Sequence, residues 1–356
     1  LKIAPLLLAV AVIFTVVSQA FVLFPISLHV GAGPVPWLMG QGRVLYVTVF
    51  EHRPPVLAWI VAVTQPFFAG NTLLAVRALH LLTTLAILAL IYAVSVQLSG
   101  KPLVGSLAVG YFAALQVVFL NVLFYFEMFQ GLLYVAGVWC LLRYKHERLF
   151  ILLAGVFFGL AFLTKQQAVL PAAFALLWVH LARRGLWSVV VMAIGAAAPI
   201  LLTWALYAIA GTWDEYAFWN YSFNIQYASG GYELPDGDFI RRMMLTHGWI
   251  IPFAFLAIQE RKLLDYGLVL GIGVLTLATQ FPRSGELHAA AGLPFIAIQF
   301  GVVLATLLEK ARHRSNWRAD TAVAAGVVTV LLGAIGTNVI TGFIPTPAGF
   351  RTILGV

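Results

Sequence analysis

The sequence predicts an all-α, polytopic membrane protein. Three observations predict it. Of the 356 residues, 62% are hydrophobic and 10% are charged, against about 45–50% and about 25% in ordinary soluble domains. Mean hydropathy is +0.96. The apolar residues fall in blocks of about 20, the length that crosses a bilayer as helix. A soluble enzyme, a disordered chain and a disulfide scaffold are excluded. The net charge of +8 does not indicate nucleic acid, because the basic residues sit in short clusters between apolar blocks, as they do beside transmembrane ends. Cys140 is the one cysteine, so no intrachain disulfide or Cys-based metal site forms.

The blocks place the elements in order. Residues 4–25 make the first span, although Ser18-Gln19-Ala20 also has a small-x-small cleavage pattern. Ten further spans follow at 72–98, 103–121, 126–143, 148–164, 167–182, 187–209, 247–259, 263–280, 288–308 and 321–344. Pro171, Pro199, Pro252 and Pro294 lie within them and predict kinks. Gly155-x-x-x-Gly159 reads either as a close-packing helix face or as a chance pair in a chain with 31 glycines. Residues 54–69 begin Pro54-Pro55 and contain Pro66. Segments of that length are often re-entrant or interfacial.

Charge parity decides that segment. If 54–69 does not cross, 13 of the 21 basic residues share one side, which carries +8 while the other carries none. The more basic side is the cytoplasmic one. The expectation is one transmembrane domain over 1–356, with about eleven spans and a cytoplasmic N-terminus in the plasma (inner) membrane. Residues 26–71 form a first outer loop with interfacial helices, and 210–246 form a long outer loop. No internal repeat marks a transporter.

This topology puts the informative ionisable residues, among them Glu51, Arg53, Glu127, Lys165 and Arg283, together on the outer face. Such residues at membrane depth are functional candidates. In Glu51-His52-Arg53-Pro54-Pro55, two prolines fix the backbone. Arg53 suits a phosphate and Glu51 an acid or base; the competing reading is a solvated loop ending in a proline-led helix. Lys165-Gln166-Gln167 puts a cation on the depleted side, as an anion site or as a snorkelling helix end. Glu127 opens a helix, where the dipole alone favours it. In Phe281 to His288, Arg283 suits a phosphate or a sugar hydroxyl, and His288 a proton or a satisfied interfacial position. Trp213, Tyr216 and Trp219, with Asp214, Glu215 and Asn220, make either a sugar platform or an aromatic belt. Asp236-Gly237-Asp238 lacks the rest of a calcium loop. No ligand spacing supports a divalent metal, and no cofactor is expected.

These strings resemble the polytopic GT-C glycosyltransferases of the mannosyltransferase and aminoarabinose-transferase-like group. Gly42-Arg43-Val44-Leu45-Tyr46 followed by Glu51-His52-Arg53-Pro54-Pro55 is similar to the family's first-outer-loop pattern. Arg77 after the Gly70-Asn71 corner, Leu163-Thr164-Lys165-Gln166-Gln167, and Arg283 to His288 with Pro294 add to the likeness. The resemblance implies a GT-C-like bundle, a polyprenyl-phosphate sugar donor reached from the membrane lipids, and inverting transfer on the extracytoplasmic face. It implies that Arg53 and Lys165, with Arg283, hold the donor phosphate, and that a first-loop carboxylate is the base. The family's usual first-loop Asp is missing: residues 26–45 contain no acid and Val47-Thr48 follows Tyr46. Glu51 and Glu127 are therefore the catalytic candidates, with His52, Arg53, Lys165, Gln166, Arg283, His288, Trp213 and Trp219 for substrate. The alternative is a catalytically inactive subunit of that fold, docked among other membrane protein subunits.

Overall fold

The computed structural model describes residues 3–22, 33–119, 126–143, 147–183, 185–229, 247–260, 262–278 and 290–314. The helices are α1 (Ile3–Val22), α2 (Pro34–Gly40), α3 (Val56–Thr64), α4 (Thr72–Ser99), α5 (Pro102–Phe119), α6 (Phe126–Arg143), α7 (Arg148–Phe162), α8 (Val169–Arg183), α9 (Leu186–Ile209), α10 (Trp213–Ala217), α11 (Phe223–Ser229), α12 (Ile250–Gln259), α13 (Leu263–Ala278) and α14 (Leu293–Arg314). No strand occurs among the described residues. Thr72–Ser99, Leu186–Ile209 and Leu293–Lys310 are each long and apolar enough to cross a bilayer. The block at 321–344 lies outside the described residues.

Long apolar helices need defined ends, and α4 shows both. Asn71 Oδ1 accepts the Leu74 N–H at 3.0 Å at its start, a cap worth about 1 kcal/mol. Gly100, at φ +72°, closes it by donating to the Val96 carbonyl. The prolines behave less uniformly than the sequence predicts. Only Pro199 lies inside its helix. Pro171, Pro252 and Pro294 fall within the first three residues of α8, α12 and α14, where the missing N–H has no intrahelical acceptor to lose.

The bundle has two distinguishable ends. At one, Lys101 pairs with Glu309 at 2.6 Å, Lys262 reaches the Leu98 carbonyl and Lys310 donates to Gln259. The start of α1 belongs to this end, since Ser106 donates to the Ala4 carbonyl at 2.8 Å. At the other end, Leu57 and Val61 of α3 bury against Val76 of α4 and Phe126 of α6. The Val56 N–H also donates to the Leu163 carbonyl at the end of α7. Both α3 and the first turns of α4 thus lie at this second end, so residues 56–71 turn back without traversing the bundle.

The tightest contact is between α7 and α9. Gly155 and Gly159 meet Met192, Ala196 and Pro199, and Gly195 meets Leu152. Positions rise together on both helices, so the two run parallel. With no bilayer gain from burying apolar surface between helices, small residues that let backbones touch supply the association. The reading of Gly155-x-x-x-Gly159 as a packing face therefore holds, and Gly195 completes it from the other side.

Candidate functional site

The loop from Gly42 to Pro55 is shaped before any ligand is considered. Gly42 and Tyr46 both have positive φ, +81° and +71°. The left-handed region is unfavourable for an aromatic residue and persists only where the surroundings impose it. Here the Tyr46 ring is buried between Tyr207 and Tyr216, each 5.5 Å away. Its hydroxyl donates to the Arg53 carbonyl at 2.6 Å. Burial raises the Tyr46 pKa well above the ordinary tyrosine value, so the hydroxyl keeps its proton for that bond. The spaced Gly and Tyr of the sequence motif are thus the bend and the anchor of this loop.

Glu51 is folded back onto the same loop. Its Oε1 accepts the main-chain N–H of His52 at 2.9 Å and of Arg53 at 3.1 Å, and the Arg53 guanidinium at 3.3 Å. The Glu51 side chain is 3% exposed, although Val44, Val47 and Phe50 of the same loop are exposed. Burial raises its pKa above the ordinary carboxylate range; the Arg53 charge and the two N–H donors oppose that without cancelling it. A carboxyl with a raised folded pKa stabilises the fold most when protonated, and that contribution fades as pH rises through the raised value. Relative to Glu51→Gln, the wild type is therefore expected to gain thermal stability as pH falls through this window. Melting curves of both proteins in detergent from neutral pH to about pH 4 check it; a gap that widens in the opposite sense excludes the assignment.

A second ion pair lies beside the first. Glu127, the second residue of α6, accepts from Lys165 Nζ at 2.5 Å. The two side chains are 3% and 15% exposed. Lys165 faces inward onto this carboxylate, not outward as a snorkelling helix end. The main chain at Lys165 is fixed by Gln130, whose Nε2 donates to its carbonyl at 3.1 Å. The Arg53 guanidinium lies 4.8 Å from the Phe126 ring centre, a cation–π contact that brings the first pair against the helix start carrying the second.

The aromatic segment from Trp213 to Tyr227 packs against this region. Trp219 stands edge-on to Phe50 with centroids 4.7 Å apart, and the His52 ring lies 6.0 Å from Phe223. Trp213 packs instead on Trp204 and Tyr216. The two candidate tryptophans therefore belong to different parts of the cluster. Gln166 donates to the Asn220 carbonyl at 2.8 Å. Asn224 donates to the His52 carbonyl at 2.6 Å. Asn224 carries no sequence signal of its own and emerges only from the fold. Arg283 and His288 lie outside the described residues, as does Asp236-Gly237-Asp238. Among the described residues no three His, Cys, Asp or Glu side chains converge on a point that could hold a metal.

Comparisons with known proteins bear on this geometry. Residues 52–212 match the dolichyl-phosphate-mannose-protein mannosyltransferase family. ArnT from Cupriavidus metallidurans, solved bound to undecaprenyl phosphate, superposes with a TM-score of 0.63 at 16% identity, covering 91% of this chain and 62% of that one. The oligosaccharyltransferase AglB from Archaeoglobus fulgidus, solved with an inhibitory peptide and a dolichol-phosphate, superposes with a TM-score of 0.63 at 10% identity, covering 94% and 55%. The chain therefore spans between half and two thirds of the length of these structures. No curated protein matches it by sequence. The chain is a polytopic integral membrane protein of GT-C fold, similar over residues 52–212 to the dolichyl-phosphate-mannose-protein mannosyltransferases.

Proposed function

We propose that the chain is a membrane glycosyltransferase that moves a sugar from a polyprenyl-phosphate donor to an acceptor on the extracytoplasmic face. The single observation that carries this reading is that two largely buried cations both meet the start of α6, Arg53 over the Phe126 ring and Lys165 on Glu127. Each is a donor group suited to a phosphate oxygen. The start of α1, Lys101, Lys262 and Lys310 at the opposite end favour a cytoplasmic N-terminus, which leaves the paired cations outside. The plasma membrane is the compartment this orientation suits.

In the proposed reaction the acceptor oxygen attacks the anomeric carbon as the bond to the phosphate oxygen breaks. The electron pair leaves with the polyprenyl phosphate, and the acceptor proton passes to a carboxylate. Arg53 and Lys165 hold the leaving phosphate, with Arg283 as a further donor. Glu51 or Glu127 takes the proton; a raised pKa suits Glu51 to that step. His52, Gln166, His288, Trp213 and Trp219 border donor and acceptor.

The test is donor consumption by the purified chain in vesicles supplied with an undecaprenyl-phosphate-linked sugar. Release of undecaprenyl phosphate that depends on both Arg53 and Lys165 is expected. Turnover unchanged in both alanine variants removes the reading.

One observation favours a second reading. Both acidic candidates are engaged in ion pairs, and residues 26–45 supply no other acid. A GT-C-fold subunit that no longer catalyses, and that holds its place among other membrane subunits, fits that arrangement. It is distinguished by stable co-purification with partners and by no donor consumption.

A further inference from the structure

We propose that Asn224 is a positioning residue that sets the spacing between the two ion pairs. This inference rests on the glycosyltransferase reading of the site and adds to it the element that aligns its two halves. The peptide joining His52 to Arg53 is gripped on both edges. Its N–H is bound by Glu51 Oε1 at 3.1 Å and its carbonyl by Asn224 Nδ2 at 2.6 Å. The carbonyl of the next peptide is held by the Tyr46 hydroxyl. A rotation of the 52–53 peptide would break the Glu51 contact and redirect the Arg53 side chain together, so the Asn224 bond fixes both members of the first pair.

The same segment grips the second pair. Gln166, which follows Lys165 directly, donates to the Asn220 carbonyl at 2.8 Å. Asn224 donates to that same carbonyl at 2.9 Å. The Asn220 carbonyl is therefore the node where the two halves meet. Its availability has a local cause. Phe218–Ser222 is a single wide π turn, closed by the Phe223 N–H on the Phe218 carbonyl. Such turns recur where a helix is adapted to a functional site. Asn220 is itself buried, and its own amide donates back to Tyr216 at 3.1 Å, which holds the turn in register.

Asn224 touches neither cation directly, so its effect reaches the ligand only through backbone placement. Asn224→Leu keeps a similar volume and removes the donor. Two measurements on the full-length chain in nanodiscs test it: hydrogen–deuterium exchange over residues 50–56, and affinity for undecaprenyl phosphate. The expected result is faster exchange at 50–56, roughly ten-fold weaker binding, and a thermal midpoint within a few degrees of wild type. Substitution of the neighbouring exposed Ile225 by Ser is expected to change none of the three. Unchanged exchange at 50–56 in Asn224→Leu overturns the proposal. So does faster exchange with wild-type affinity. A wild type that binds no undecaprenyl phosphate counts against the glycosyltransferase reading instead, and the exchange result still decides the structural tie.

Discussion

Lys165→Ala is expected to cost both stability and phosphate affinity. The Lys165–Glu127 pair is largely sequestered from water, with side chains 15% and 3% exposed. Removing one member of a buried pair typically costs about 3–5 kcal/mol. The double variant Lys165→Met with Glu127→Gln removes both charges at similar volume and is expected to regain most of the lost thermal stability. It should not regain affinity for undecaprenyl phosphate, because the cation is gone. Melting curves and lipid-phosphate binding on the two variants separate the effects. A single variant as stable as wild type would mean that the pair is open to water; a double variant with native affinity would remove Lys165 from the phosphate site.

The second large effect is expected at the α7–α9 contact. A Cβ built on Gly155 would stand 2.1 Å from the Met192 carbonyl oxygen, and one on Gly195 would stand 2.2 Å from that of Leu152. These neighbours are backbone atoms, so no side-chain rotation relieves the clash. Even alanine must push the helices apart. Overpacking of this kind typically costs about 1–3 kcal/mol, and Gly155→Leu is expected to prevent accumulation of folded protein in the membrane. Gly110 of α5 is the control. Nothing lies within 4 Å of a Cβ there, and alanine in an open helical position is favoured by about 0.5–1 kcal/mol. Detergent-extracted yield and thermal midpoint of Gly155→Ala, Gly155→Leu and Gly110→Ala check the ordering. Equal yields for all three would show that α7 and α9 are not in close contact.

The long apolar helices were legible because each carries its own signal, whereas the region predicted as a long loop forms α10, a π turn and α11 over Trp213 to Ser229. Apolar blocks located α4, α6, α7 and α9 nearly to their ends, and the Gly70-Asn71 corner marked the start of α4. Glu51, Arg53, Glu127 and Lys165 also stood out, since charge is scarce in such a chain. Their pairing was not legible. Glu127 and Lys165 are 38 residues apart, and nothing local tells either that it faces the other. Each had a bland explanation by itself, a helix dipole for Glu127 and snorkelling for Lys165. Asn224 had no signal at all, because an asparagine in an aromatic loop acquires meaning only when a carbonyl 172 positions away is brought to its amide. The prolines misled for a related reason. Pro171, Pro252 and Pro294 lie near helix starts that hydropathy alone places a few residues too early, so they read as interior kinks.

For the polyprenyl-phosphate donor proposed above, the glycine seam of α7 and α9 limits the route of approach. Helices that touch carbonyl to Cα leave no slot for a polyprenyl chain between them, so that flank is closed as a lateral doorway from the lipid. On the function proposed above, Lys165, just past the C-terminal end of α7, is reached around a different side of the bundle. The same contact ties α7 and α9 into one closely packed pair.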